Sequence, residues 1–127
     1  MIFHEDNRAQ RLLDIFDLKD GQLNISYINS TNHIVAWHMH HIQTDYWMCI
    51  KGSIQVGLKH ISGPVKWNYL SDKNPTKFLK IPPYTYHGYK ALEPSILLYF
   101  LDEKYNPTDE YNVLPGTFDE DWSTPNK

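Results

Sequence analysis

The stretch that decides the fold runs from Thr31 to Ile42, TNHIVAWHMHHI, and it carries four of the chain's seven histidines within nine residues, His33 to His41. Its β-branched and aromatic content reads as a strand. With a period of two, Ile34, Ala36, His38, His40 and Ile42 share one face, and His33, Val35, Trp37, Met39 and His41 share the other. Both faces hold apolar residues, as in a strand buried on two sides. His38 and His40 then project together into an interior, where two imidazoles need hydrogen-bond partners, a ligand or a metal.

Outward from this strand the same texture continues. Short runs rich in β-branched and aromatic residues cover 23–29, 33–42, 45–51, 53–60, 65–70, 77–82, 86–92 and 95–101, each ended by turn-forming residues. Eight strands with no helix between them predict an all-β antiparallel jelly roll. Lys51-Gly52 reads as a tight hairpin, Ser62-Gly63-Pro64 as a turn, and Ser71 to Pro75 as a longer loop. Arg8 to Leu18 fits one helical turn or an edge strand. Past Asp102 the composition shifts. Seven of the fifteen acidic residues fall in 102–127, which reads as an arm whose Phe118 and Trp122 pack down in part.

The 127 residues suit a single domain with its core at about 22–102 and an acidic segment at 103–127. A hydrophobic content of 41% with 14% aromatics argues against disorder. A net charge of −3, with Arg8 and Arg11 the only arginines, leaves no basic face for a phosphate backbone, so nucleic acid is not an expected partner. The longest strongly apolar stretch, Ser95 to Leu101, is far below the roughly 20 residues of a spanning helix. The single Cys49 has no intrachain partner and reads as a buried, inert thiol. With no apolar leader after Met1, a reducing cytoplasm is the expected compartment.

The spacing His38-x-His40, four residues, Asp45, six residues, Gly52, followed by Pro82-x-Tyr84-x-x-His87, resembles the two cupin motifs HxH-x4-E-x6-G and PxGxxH. Asp45 stands for Glu and Tyr84 for Gly. The resemblance implies a double-stranded β-helix. Two imidazoles from one strand, a third from a distant one and a carboxylate make His38, His40, Asp45 and His87 a candidate set for Fe, Ni, Mn or Zn. Without metal, the same residues are polar groups lining a barrel.

A narrower resemblance lies in LSDKNPTKFLKIPPYTYHGYKAL (70–92), with Leu98-Tyr99 and Tyr105-Asn-Pro107 after it. These pieces are similar, in order, to the dTDP-4-dehydrorhamnose 3,5-epimerase family of RmlC-like cupins. That resemblance implies a homodimer, pictured with N-terminal strands exchanged or paired, that epimerises or isomerises a nucleotide-linked 4-keto-6-deoxy sugar without a cofactor, for surface-polysaccharide biosynthesis. It implies His38 as base, with His40 its rival, and Tyr99 as acid, with His87 lining the pocket. An imidazole near neutral pKa and a weakly acidic phenol suit proton transfer beside a ketone. Trp47, Tyr84 and Tyr86 are the aromatics expected to touch the substrate, a dTDP-sugar or another small molecule. Val35-Ala36 replace the family's Arg-Gly, and Asp45 falls near the family's enolate-stabilising lysine. The related sugar 3,4-ketoisomerases share the HxH strand. Two other readings stay open: a metal-binding cupin acting on or sensing a small molecule, and a sugar-nucleotide-binding relative without catalysis.

Overall fold

Strands and turns written in this way need long-range partners to bury their apolar faces, and the computed structural model, which describes residues 1–123, shows how they find them. The strands are β1 (Ile2–Glu5), β2 (Gln10–Leu13), β3 (Gln22–Ile28), β4 (Ile34–Met39), β5 (Asp45–Lys51), β6 (Ser53–His60), β7 (Lys66–Ser71), β8 (Leu79–Ile81), β9 (Thr85–Ala91), β10 (Ser95–Leu101) and β11 (Tyr111–Asn112). One antiparallel sheet has the order β1-β2-β3-β10-β5-β8 and the other β11-β4-β9-β6-β7. The two face each other as the halves of a jelly roll. Among the described residues no helix is long and apolar enough to cross a membrane.

Each of the eight expected runs overlaps a strand. The ambiguous segment 8–18 resolves in favour of a strand rather than a helical turn, but not at the edge: β2 pairs Leu12 to Ile25 on one side and β1 takes the edge on the other. β1 was not expected; it extends the sheet by pairing Phe3 with Leu12. The Lys51-Gly52 hairpin is present, with Gly52 at a φ of +86° that disfavours any side chain. Ile28, Cys49, Ile54, Val56, Leu70, Ala91 and Leu97 fill one end of the roll. Each fully buried aliphatic there contributes about 1.5–3 kcal/mol of transfer free energy.

The histidine strand departs from strict alternation. Val35 pairs with Tyr89 but His38 pairs with His87, so Ala36 and Trp37 together oppose Gly88. This bulge turns Ala36 to the outer face and Val35 to the interior, the reverse of the expected assignment, while His38 remains inside. Gly88 accommodates it, because a Cβ there would strike Ala36.

The acidic arm is a strap over the outer face of the five-stranded sheet. Val113 exchanges backbone hydrogen bonds of 2.9 and 3.2 Å with Trp37. Phe118 and Trp122 each lie 5.3 Å from Trp37, and Trp122 lies 4.8 Å from Trp67. Glu120 folds the strap by accepting from the Gly116 and Phe118 amides and the Trp122 indole. The acidic run Asp119-Glu120-Asp121 therefore holds a structural cap at its centre.

Candidate functional site

The end of the roll opposite the apolar core is hollow, with a cavity of about 640 Å³ lined by both sheets. On β3 the inward row Gln22, Asn24 and Ser26 is polar and buried, which keeps this end from closing on itself. His38 on β4 and His87 on β9 are cross-strand neighbours, and Asp45 opens β5 on the facing sheet.

Two of the imidazoles have fixed tautomers. His40 Nδ1 lies 2.9 Å from the Asp109 carbonyl oxygen, and His87 Nδ1 lies 3.1 Å from that of Thr85. A carbonyl only accepts, so each Nδ1 carries the proton and each Nε2 keeps its lone pair. His87 Nε2 is 3.7 Å from Asp45 Oδ2. Burial drives the His87 pKa down to about 4 against the pull of Asp45, with His40 and His38 adding to the depression. The ring is neutral at pH 7. Asp45, only 4% exposed, accepts from the Gln43 amide at 2.6 Å and the Trp47 indole at 3.1 Å. Among the described residues no lysine or arginine forms an ion pair with it, so a buried carboxylate stands without a cationic side chain.

Donor atoms of His40, Asp45 and His87 all lie within 4.8 Å of one another. A divalent ion about 2.1 Å from each donor spans separations up to about 4.2 Å, so closing on one takes side-chain shifts of roughly half an ångström. The chemistry of the set fits: two imidazole Nε2 atoms whose Nδ1 partners face backbone carbonyls, and one buried carboxylate lacking a cationic partner. His38, expected as a fourth member, is set apart. Its ring centre is 6.3 Å from that of His87, against 5.3 Å for His40. His38 Nδ1 instead meets Asn112 Oδ1 at 2.8 Å and Glu110 Oε1 at 3.6 Å. The imidazole beside it holds the Glu110 carboxyl down at about 2.

Tyr99 lines the cavity opposite the histidines and receives a 3.3 Å hydrogen bond from Ser26. Burial pushes its phenol up to about 12, so it stays protonated. Trp47 also lines the cavity, edge-on to His87 at 5.4 Å. The other two expected aromatics do not line it. Tyr86 points outward against Phe118 at 5.2 Å, because His87 next to it on β9 points in. Tyr84 is 43% exposed and stacks on His41 at 4.7 Å. Its φ of +62° explains why the corresponding cupin motif position is a glycine. Its amide donates to the His40 carbonyl at 2.7 Å, steadying the strand end. Cys49 is buried and its thiol is pushed up to about 11, in keeping with an inert role.

Sequence reasoning missed Arg11, which reaches the cavity from β2 opposite Ser26. Its guanidinium is tied to Asp6 at 3.0 Å and to the Tyr89 hydroxyl. The polar row Gln22, Asn24, Ser26 was the available signal that β3, and hence its neighbour β2, face a cavity. Glu110, Asn112 and Asp109 were also missed; they lie about 70 residues from the imidazoles they orient. Asp109 also caps the His41, Ile42 and Gln43 amides at 2.8–3.2 Å.

No protein-family model matches the chain, and no curated protein matches it in sequence. Solved structures do match in fold. Capsular polysaccharide assembling protein CapF from Staphylococcus aureus superposes with a TM-score of 0.77 at 17% identity, over 88% of this chain and 31% of that one. A CapF crystal structure with the inhibitor 3-isopropenyl-tropolone gives 0.78 at 17% identity, over 88% and 34%. KdgF from Halomonas sp. gives 0.67 at 19%, over 83% and 90%, and a variant of B. subtilis oxalate decarboxylase 0.74 at 14%, over 88% and 30%. These are cupins, and the chain has the cupin jelly-roll fold. It spans about a third of the length of the CapF chains.

Proposed function

We propose that the protein epimerises or isomerises a nucleotide-linked 4-keto sugar in polysaccharide biosynthesis, with a divalent metal held by His40, Asp45 and His87. The observation that carries this reading is the triad itself: both Nδ1 protons are committed to backbone carbonyls, leaving two lone pairs and an uncompensated carboxylate in one cavity. The sugar class is supported by the order of the motif pieces and by the fold shared with a capsular polysaccharide assembling protein.

The proton chemistry belongs to His38 and Tyr99. With Nδ1–H directed at Asn112 and Glu110, His38 presents Nε2 as the base that removes the proton beside the ketone, and Glu110 stabilises the imidazolium that forms. Tyr99, neutral at pH 7, returns a proton to the opposite face. His40, Asp45 and His87 would hold a divalent ion, which would supply the positive charge an enolate needs and which Asp45 alone would oppose. Arg11 offers the guanidinium that takes the anionic part of the substrate.

The test has two arms. Protein purified without added ions is expected to carry near-stoichiometric metal that disappears in His40→Ala. Incubation of a dTDP-4-keto-6-deoxy sugar in deuterated water is expected to place deuterium beside the ketone, and not in His38→Asn. Absence of metal together with wash-in surviving in His38→Asn would overturn the proposal. Metal without any exchange would move the assignment to a metal cupin acting on another small molecule.

A further inference from the structure

Gln43, Asp45 and Trp47 alternate around the start of β5, and all three line the cavity. The spacing lets the outer two side chains reach the carboxylate between them. Gln43 Nε2 donates to Asp45 Oδ1 at 2.6 Å, and Trp47 Nε1 donates to Oδ2 at 3.1 Å. At 2.6 Å the amide nitrogen must face the carboxylate, because an amide oxygen there would meet another acceptor. All three residues are 5% exposed or less. Both donors are neutral. They satisfy lone pairs of the carboxylate and leave its negative charge in place, whereas a lysine or arginine would cancel that charge and compete with a bound cation. The two oxygens also become unequal. Oδ1 is held by the short amide contact, and Oδ2 is the oxygen 3.7 Å from His87 Nε2. A carboxylate oxygen has two lone pairs, so Oδ2 keeps one after Trp47 takes the other.

Gln43 is tied in turn to a second ligand of the set through Asp109. The Gln43 backbone amide donates to Asp109 Oδ2 at 3.2 Å, and the Asp109 backbone carbonyl lies 2.9 Å from His40 Nδ1. His40 follows β4 and Asp45 opens β5 on the facing sheet, so the Gln43–Asp109 pair sets where the two stand relative to each other. From this arrangement we propose that Gln43 is a positioning residue of the metal site. It holds Asp45 by Oδ1, so that the carboxylate presents Oδ2 to the ion, and being neutral it leaves the charge of Asp45 for that ion to balance. The proposal rests on the reading that His40, Asp45 and His87 hold a divalent ion. Partners that orient a ligand from behind change metal affinity by about 10–100-fold when they are removed.

The full chain, stripped with a chelator, tests this with Co(II) as the probe ion. Affinity is read by competition with a coloured chelator, and the thermal midpoint of the ion-free protein is read beside it. Gln43→Met, similar in volume but without the donor, should weaken Co(II) binding about 10–100-fold. Gln43→Lys separates positioning from packing. Its ammonium pairs with Asp45, so Co(II) affinity should fall at least about tenfold while the ion-free protein melts no lower than the wild type. A side chain serving packing alone would lower midpoint and affinity together. Should Gln43→Met fail to fold, Gln43→Lys decides. Wild-type affinity for Co(II) in either folded variant overturns the assignment, as does a Gln43→Lys protein that loses Co(II) and thermal stability together. A wild type that takes up no Co(II) overturns the metal reading itself, and this assignment with it.

Discussion

The two ends of the roll are built by the same strands and behave as different materials. At the closed end β3, β5, β9 and β10 contribute Ile28, Cys49, Ala91 and Leu97, which are all 3% exposed or less. At the open end the same four strands contribute Asn24, Asp45, His87 and Tyr99 around a cavity. The closed end lowers the free energy of folding by removing apolar area from water. The open end raises it by desolvating polar groups, and this is tolerated because nearly every one has a partner. A jelly roll thus separates stability from chemistry along the strand axis.

The largest effect that would sharpen this contrast is expected at the closed end. Ile54→Ala leaves a cavity at a fully buried position and should cost about 3 kcal/mol in urea denaturation, with metal content unchanged. At the open end Asp109→Ala should cost about 2 kcal/mol, because three backbone amides lose their acceptor. Unlike the first variant, it should also weaken metal retention, since losing the side-chain anchor to the 41–43 amides loosens the backbone segment whose carbonyl orients His40. Equal effects of the two variants on metal content would break the distinction.

Between about pH 6.5 and 4 the titration of His87 weakens the folded chain. The His87 pKa lies at about 4 in the folded chain against an ordinary 6.5, so the unfolded chain binds that proton first as pH falls. Its contribution is fully present above pH 6.5 and is lost as pH drops through about 4. In chelator-treated protein, His87→Leu should flatten the stability profile across that window. The smallest effect is expected for Tyr84→Gly. Relief of a left-handed backbone, worth about 1–2 kcal/mol, offsets the lost ring stack on His41, and the net change should stay within about 1 kcal/mol by thermal unfolding.

Much of the fold was legible because strand patterning is local. The runs around His38, Asp45 and His87 alternate, end in turn residues and keep motif spacing, so three of the four proposed metal ligands were placed together from sequence. His38 was grouped with them by periodicity, and the structure gives it Asn112 and Glu110 instead. The bulge at Ala36 and Trp37 was invisible for a related reason. It exists because Trp37 is drawn outward to Phe118 and Trp122, eighty residues further along the chain. Tyr86 was misassigned to the substrate because its aromatic character carries no information about which face it occupies.

From its residues alone the chain determined that it would be an antiparallel jelly roll with imidazoles and a carboxylate on inward strand positions, since alternation and turn chemistry act over a few residues. Tertiary structure decided the rest. It chose which end is hollow, brought Arg11 and Glu110 to the cavity, and made the acidic arm a strap. The physical reason is distance along the chain: these contacts join segments far apart in sequence, and only the closing of the sheets fixes which of them meet.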